Sequence, residues 1–215
     1  MTNKRSSRKT HILRRPEYGS EPIVHAWKEC QDLDRIESVR IENDTIESCT
    51  ADSFLECELK RVVFQGRFRG ILFADVTFEH CDFSNAELDE SQFRRCSFHN
   101  CRLMGTTFIR SVLEDVTLER CTAVYANFNR SAWKYAEWKE CSFKEAGFGG
   151  CSFQDVKLQE CDFTGCDFLE TKLAGMDFSD SVLQQITVRP QDLKGAVFSY
   201  EQAVLCASLL GVTIK

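Results

Sequence analysis

The sequence predicts a parallel β-solenoid wound in square coils of 20 residues. Three observations carry this: a five-residue register of large apolar side chains, small residues two places before each, and no interruption from 73 to 198. Stepping by five from Phe73 to Phe198 gives 26 positions, of which 14 are Phe, 8 Leu and 2 Trp, with Ala123 and Val188 the exceptions. Two places earlier stand eight Cys, five Ala, four Ser, three Val, two Ile, two Thr, Met176 and Gln191. A period of five fits neither a helix near 3.6 nor a strand near 2. A repeat this short cannot bury its own apolar residues, so copies must stack into one continuous core. With four sides per turn the coil closes every 20 residues, and adjacent coils lie about 4.8 Å apart at strand spacing.

Composition agrees with one elongated body. The chain has 215 residues, 43% hydrophobic, with 33 acidic against 27 basic residues and only three prolines. No run approaches the roughly 20 apolar residues of a membrane span, and "MTNKRSSRKTHILRRPEYG" at the start has no apolar segment of the secretory kind. A cytoplasmic protein is expected. Twelve cysteines raise the question of disulfides or zinc, but eight occupy the small inward position, and Cys81, Cys101, Cys121, Cys141 and Cys161 are spaced by 20 and therefore stack. No CxxC occurs, and the spacings follow the repeat rather than a zinc-ligand pattern. Buried free thiols are expected, with no metal, cofactor or disulfide.

Taken in order, residues 1–30 hold seven Lys or Arg against three acids and lack the repeat, which reads as a basic N-terminal arm, flexible or loosely docked. The repeat body is 31–198. Its first part, to 70, shows units at Ile41, Ile46, Leu59 and Phe64 with slips near Phe54 and Phe68, expected to form about one and a half irregular coils. From 71 the register is regular. Ala123 replaces a large core residue and Trp133 and Trp138 follow on the next coil, either offsetting the lost volume or marking a local bulge. In 199–215, Ser199 with Gln202 is a capping box, Ala203–Leu210 is almost wholly apolar, and Gly211 is a C′ residue. A short capping helix is expected, because an open terminal coil would recruit other strands.

The units Cys161-Asp162-Phe163, Cys166-Asp167-Phe168 and Met176-Asp177-Phe178 resemble the pentapeptide-repeat family, whose consensus is A(D/N)LXX with a central Leu or Phe. The resemblance covers 71–198 without interruption and 39–70 more loosely. It implies a right-handed quadrilateral β-helix. With nothing inserted between 71 and 198, the chain is similar to loopless members of the Qnr-type quinolone-resistance branch. In this family the C-terminal helix commonly forms a two-fold dimer contact, which would fall here on Phe198, Tyr200, Val204, Leu205, Leu209 and Leu210; a monomeric cap is the other reading.

No catalytic constellation is visible. His80 and His99 fall at outward positions, no nucleophile is paired with a base by any motif, and GxGxxG, P-loop and HExxH patterns are absent. A non-enzymatic protein is expected, with function on the outward positions. Residues 91–110 carry Arg94, Arg95, Arg102 and Arg110 and no acid. Residues 151–183 carry Asp155, Glu160, Asp162, Asp167, Glu170, Asp177 and Asp180 against Lys157 and Lys172, a net −5. At ~4.8 Å per coil that segment has about one net charge per 1.6 Å, close to B-DNA, whereas 71–198 as a whole has about one per 4.5 Å. Glu140, Glu160 and Asp180 fall at equivalent positions on three coils. These eight acids are either a solvated surface or a partner-binding one. The resemblance implies the second: an acidic rod mimicking duplex DNA and binding a type II topoisomerase, DNA gyrase or topoisomerase IV, in some members with protection from quinolones. A scaffold for a partner unrelated to DNA is the alternative; neither reading involves direct nucleic-acid or membrane binding.

Overall fold

The structure is a computed structural model that describes residues 11–209. Its body is a four-sided parallel β-helix. Side one aligns Phe73, Phe93, Leu113, Trp133 and Phe153 in parallel register, and side two aligns Phe78, Phe98, Leu118, Trp138 and Leu158. Each partner is 20 residues on. Gln92–His99 and Val112–Glu119 run through both sides as unbroken strands. Sides three and four pair through single bridges, such as Asp82 with Arg102, Arg102 with Thr122, and Glu87 with Thr107.

A square coil turns through its fifth residue. Asp75, His80, Asn85 and Glu90 have φ of 57°, 55°, 61° and 60°, and the series continues along the chain. Left-handed backbone costs a non-glycine residue about 1–2 kcal/mol, so the corners hold only because the stack imposes them. The compensation lies inside, where equivalent rings stack: Phe73 on Phe93 at 4.9 Å, Phe78 on Phe98 at 4.4 Å, and Phe143 on Phe163 at 5.3 Å. Such a pair adds about 0.5–1.5 kcal/mol beyond its buried area.

The small inward position has a second requirement. Cys81 donates to the carbonyl of Leu59 at 3.1 Å, Cys101 to Phe78 at 3.4 Å, Thr106 to Phe83 at 2.7 Å and Ser111 to Leu88 at 2.8 Å. Cys, Ser and Thr interchange there because each offers a compact donor to the coil before. All eight inward cysteines are buried and free. Burial, the largest cause, pushes the Cys96 thiol up to about 12 and that of Cys151 to about 11.

The early coils differ from the expectation of one and a half. Ile36 pairs with Phe54 and Ile41 with Leu59, 18 residues apart; Phe54 pairs with Phe73, 19 apart. They are two nearly complete coils with a shortened fourth side. Gly66 turns the second one at φ 113°, where an added Cβ would stand 3.0 Å from the Glu47 carbonyl oxygen. Near Ala123 the bridges from Arg102 to Thr122 and from Thr122 to Ser142 run without a gap, so there is no bulge. Trp133 and Trp138 are buried on the next coil, edge to face at 4.7 Å.

Both ends of the core are covered. Ile23–Val24 pairs with Val39 and Arg40, and buried Trp27 stacks over Phe54 at 6.4 Å with its backbone N–H donated to the Asp44 carboxylate at 2.8 Å. At the other end the helix Tyr200–Leu209 begins with a reciprocal cap: Gln202 N–H donates to Ser199 Oγ at 3.3 Å, and Ser199 N–H to Gln202 Oε1 at 2.9 Å. The Gln202 amide then donates to the carbonyls of Phe178 and Ser181 at 2.7 and 2.6 Å, closing the exposed coil edge. Phe198 stacks on Phe178 and so belongs to the cap, while Tyr200 and Val204 are exposed. Leu210 and the side chains of Leu205 and Leu209 lie outside the described residues.

Residues 11–19 form a docked strap rather than a loose arm. It follows the corner between sides one and two, opposite in direction to the coils. His11 stacks on Tyr135 with ring centres 3.6 Å apart; His11 Nε2 and the Arg14 side chain both bond Asp115. Tyr18 donates to Thr77 at 2.6 Å. Buried carboxylates on the corner, invisible without the coil register, hold it down.

Candidate acidic interaction surface

Outward residues 20 places apart lie on adjacent coils and form columns. Glu140, Glu160 and Asp180 share the corner column between sides two and three, where the Glu140 N–H donates to Gln159 O at 2.8 Å. At about 4.8 Å per coil these carboxylates extend over roughly 10 Å. Asp162 sits beside them on side three and Asp177 on side two. The remaining three lie elsewhere: Asp155 at the corner between sides one and two, Asp167 on side four, and Glu170 at the corner joining side four to side one. The eight acids do not form one face; they encircle the rod. The cause is the repeat itself, which carries successive outward positions to successive sides, so an acid-rich stretch longer than one coil must wind round.

Three of the eight also build the backbone. Asp162, Asp167 and Asp177 stand just before an inward Phe, and each Oδ1 accepts the N–H two residues on, from Thr164 at 3.0 Å, Leu169 at 2.8 Å and Ser179 at 3.0 Å. Asn127 makes the same turn with Asn129 at 3.1 Å. Such Asx turns explain the preference for Asp or Asn here. Burial raises the Asp162 carboxyl, but the donors of Thr164 and the Lys144 ammonium outweigh it and hold it below the usual range. The Ser179 donors do the same for Asp177.

Ion pairing separates the acids further. Among the described residues, Glu140 meets Lys139 at 3.5 Å, Asp162 meets Lys144 at 3.1 Å and Glu170 meets Arg189 at 3.9 Å. Asp155, Glu160, Asp167, Asp177 and Asp180 have no cation within 4.0 Å, nor do Glu137 and Glu145, which a window starting at 151 leaves out. The arginines of 91–110 are different. Arg95 binds Asp75, Arg102 lies 3.9 Å from Asp82, and Arg110 Nε lies 3.2 Å from Glu90, all pairs 20 residues apart. The charge of these three is matched by the preceding coil, whereas Arg94 donates to Gln92 at 3.0 Å and meets no carboxylate among the described residues. Comparing each residue with its neighbour 20 places away recovers the arginine pairs in the sequence but not the unpaired acids, because Lys157 stands 20 places from both Glu137 and Asp177 and, among the described residues, meets neither.

Beside the strap, a groove of about 830 Å³ opens on the corner between sides one and two, lined by His11 and Tyr135 at one end and by Asp155, Val156, Gly175 and Met176 beyond. A packed coil offers no internal pocket, and this groove is external. Among the described residues no three His, Cys, Asp or Glu side chains are grouped to hold a metal, and no helix is long and apolar enough to cross a membrane.

A quinolone resistance pentapeptide repeat protein, QnrB96 of Scandinavium goeteborgense, is 32% identical over 69 residues, and the match spans about a third (32%) of each chain. Full-length QnrB1, a plasmid-mediated fluoroquinolone resistance protein, aligns over 89% of this chain and 98% of its own at 18% identity, with a TM-score of 0.36. HetL of Nostoc sp. strain PCC 7120, involved in heterocyst differentiation regulation, aligns over 84% and 90% at 13% identity, with a TM-score of 0.27. The model for the pentapeptide repeat region matches residues 71–148 and 131–203, more than half of the chain, so the chain belongs to the pentapeptide-repeat family.

Proposed function

We propose that this chain is a non-catalytic rod that binds the DNA-binding surface of a type II topoisomerase, DNA gyrase or topoisomerase IV, in place of duplex DNA. The observation that carries the reading is the set of carboxylates on the C-terminal coils without cation partners, distributed around the rod. A duplex shows phosphates to every approach, and a rod with acids on several sides and corners does likewise. A basic saddle that holds DNA through phosphate contacts attracts such a surface by the same long-range field, with strong salt dependence. The partial match to a quinolone resistance protein supports the choice of partner.

The test is supercoiling by purified gyrase, with and without quinolone, across a titration of the wild-type chain and of a variant with Glu140→Gln, Glu160→Gln, Asp155→Asn and Asp180→Asn. None of these four makes an Asx turn, so the fold is kept. The wild type inhibits or protects, and the variant needs about tenfold more protein, a loss of about 1.4 kcal/mol. Wild type without effect at tens of micromolar, or a variant equal to wild type, rejects the mimicry and leaves a scaffold for another partner.

A further inference from the structure

Among the described residues, every hydrogen bond between the strap 11–19 and the coils ends on a coil side chain. Its amides donate to carboxylates on the corner between sides one and two: Gly19 to Glu56 at 2.7 Å, Glu17 to Asp75 at 3.1 Å and Arg14 to Asp115 at 3.1 Å. No backbone group of 11–19 bonds a backbone group of the coils. The corner closes without the strap, because the Glu56 N–H donates to Ala74 O at 2.9 Å, that of Asp75 to Arg94 O at 3.0 Å and that of Tyr135 to Gln154 O at 2.8 Å. Apolar anchoring is sparse: Ile12 is 83% exposed, and Leu13, Pro16 and Tyr18 are only half-buried. A segment with few buried apolar contacts and no backbone ladder opens at much lower cost than the coils beneath it.

What the strap covers is charge. The Asp115 side chain is 1% exposed, and among the described residues its cations are His11 and Arg14 alone. Asp75 differs, since Arg95 of the next coil also binds it. Lifting the strap therefore leaves Asp75 paired and strips Asp115 of both partners. A carboxylate so stripped must face water or another cation. Asp155 stands two coils on at the same corner, about 10 Å away. The strap itself carries Arg14 and Arg15 against Glu17, a formal +1, so while docked it screens this corner from an approaching cation.

We propose that residues 11–19 are an autoinhibitory latch: a cationic segment of a partner takes Asp115 from His11 and Arg14, the strap lifts, and the corner then offers Asp115 together with Asp155. Docking of the strap and binding of the cation exclude each other at Asp115, so each weakens the other by the same factor. This holds for any cationic partner and does not depend on the topoisomerase reading.

The test titrates deca-lysine onto the full chain at low salt while NMR follows hydrogen exchange of the Arg14, Glu17 and Gly19 amides. At saturation these amides exchange about tenfold faster than in the free chain, while core amides such as those of Phe93 and Phe98 keep their rates. Tyr18→Ala, which removes an anchor and its bond to Thr77 without changing the charge, binds deca-lysine about threefold tighter than wild type. In an Asp115→Asn background the same substitution brings no such gain. Strap amides unchanged or slowed at saturation, no binding of deca-lysine, Tyr18→Ala binding no tighter than wild type, or an equal gain without Asp115 overturns the proposal. Circular dichroism checks that each variant keeps the repeat body, and the exchange measurement on the wild type needs no variant.

Discussion

The coils of 71–130 and those of 131–183 share a backbone and a core but treat their carboxylates in opposite ways. Among the described residues, in the first region Asp75, Glu79, Asp82, Glu87, Glu90, Asp115 and Glu119 each meet a cation, and only Asp89 and Glu114 do not. In the second, again among the described residues, three acids are paired and seven are not. A solenoid stacks like on like, so a residue and its equivalent on the next coil either neutralise or repel each other. The first region neutralises; in the second, Glu140, Glu160 and Asp180 repel. Exposed repulsion is weak under salt screening, so a family fold can tolerate it and leave those charges available to a partner.

The sharpest break of this comparison lies between Asp115 and Glu160. Asp115 is almost fully buried and holds His11 and Arg14. Asp115→Ala should lower unfolding stability by about 2 kcal/mol, the scale of hydrogen bonds to a charged group, and should remove hydrogen-exchange protection from residues 11–19. Glu160→Gln should leave stability within about 0.5 kcal/mol of wild type. Equal losses in denaturant melts would erase the distinction. The same carboxyl sets a pH limit. Burial raises the Asp115 carboxyl, but His11 and Arg14 outweigh burial and hold it below the usual carboxylate range. Its contribution is therefore complete at neutral pH and is lost as pH falls through the folded value. Asp115→Asn should flatten that acid limb in melts taken at falling pH.

Within the acidic region itself, turn-forming acids should separate from purely exposed ones. Asp162→Ala, Asp167→Ala and Asp177→Ala should each cost about 1 kcal/mol through the lost Asx bond. The corresponding Asn variants, which keep the acceptor and remove the charge, should stay within about 0.5 kcal/mol. If Asn and Ala melt alike, charge rather than the turn is what these positions supply.

The smallest effect is expected from unbalancing the first region. Arg102→Gln with Arg110→Gln leaves Asp82 and Glu90 with weaker or no partners; Glu90 keeps Arg69 at 3.2 Å. Stability should fall by under about 1 kcal/mol per pair, as for exposed ion pairs. If the topoisomerase reading holds and the whole rod is sensed, inhibition should strengthen; an unchanged titration would confine the contact to the coils beyond 131.

A register of five over 26 units determined the solenoid, because no other arrangement buries one large and one small side chain in every five residues. The same periodicity determined that eight of the twelve cysteines are core residues, and Ser199 with Gln202 announced the helix that closes the end. Tertiary structure decided what depends on neighbours a coil away. It placed the acids around the rod instead of on a face, matched Arg95 with Asp75 and Arg110 with Glu90, and converted a basic arm into a strap on Asp115. The physical reason is that adjacency along a coil is local and can be read in a window of five, while adjacency between coils joins residues 18 to 20 apart, and the hydrogen bonds between strap and body join residues 37 to 104 apart.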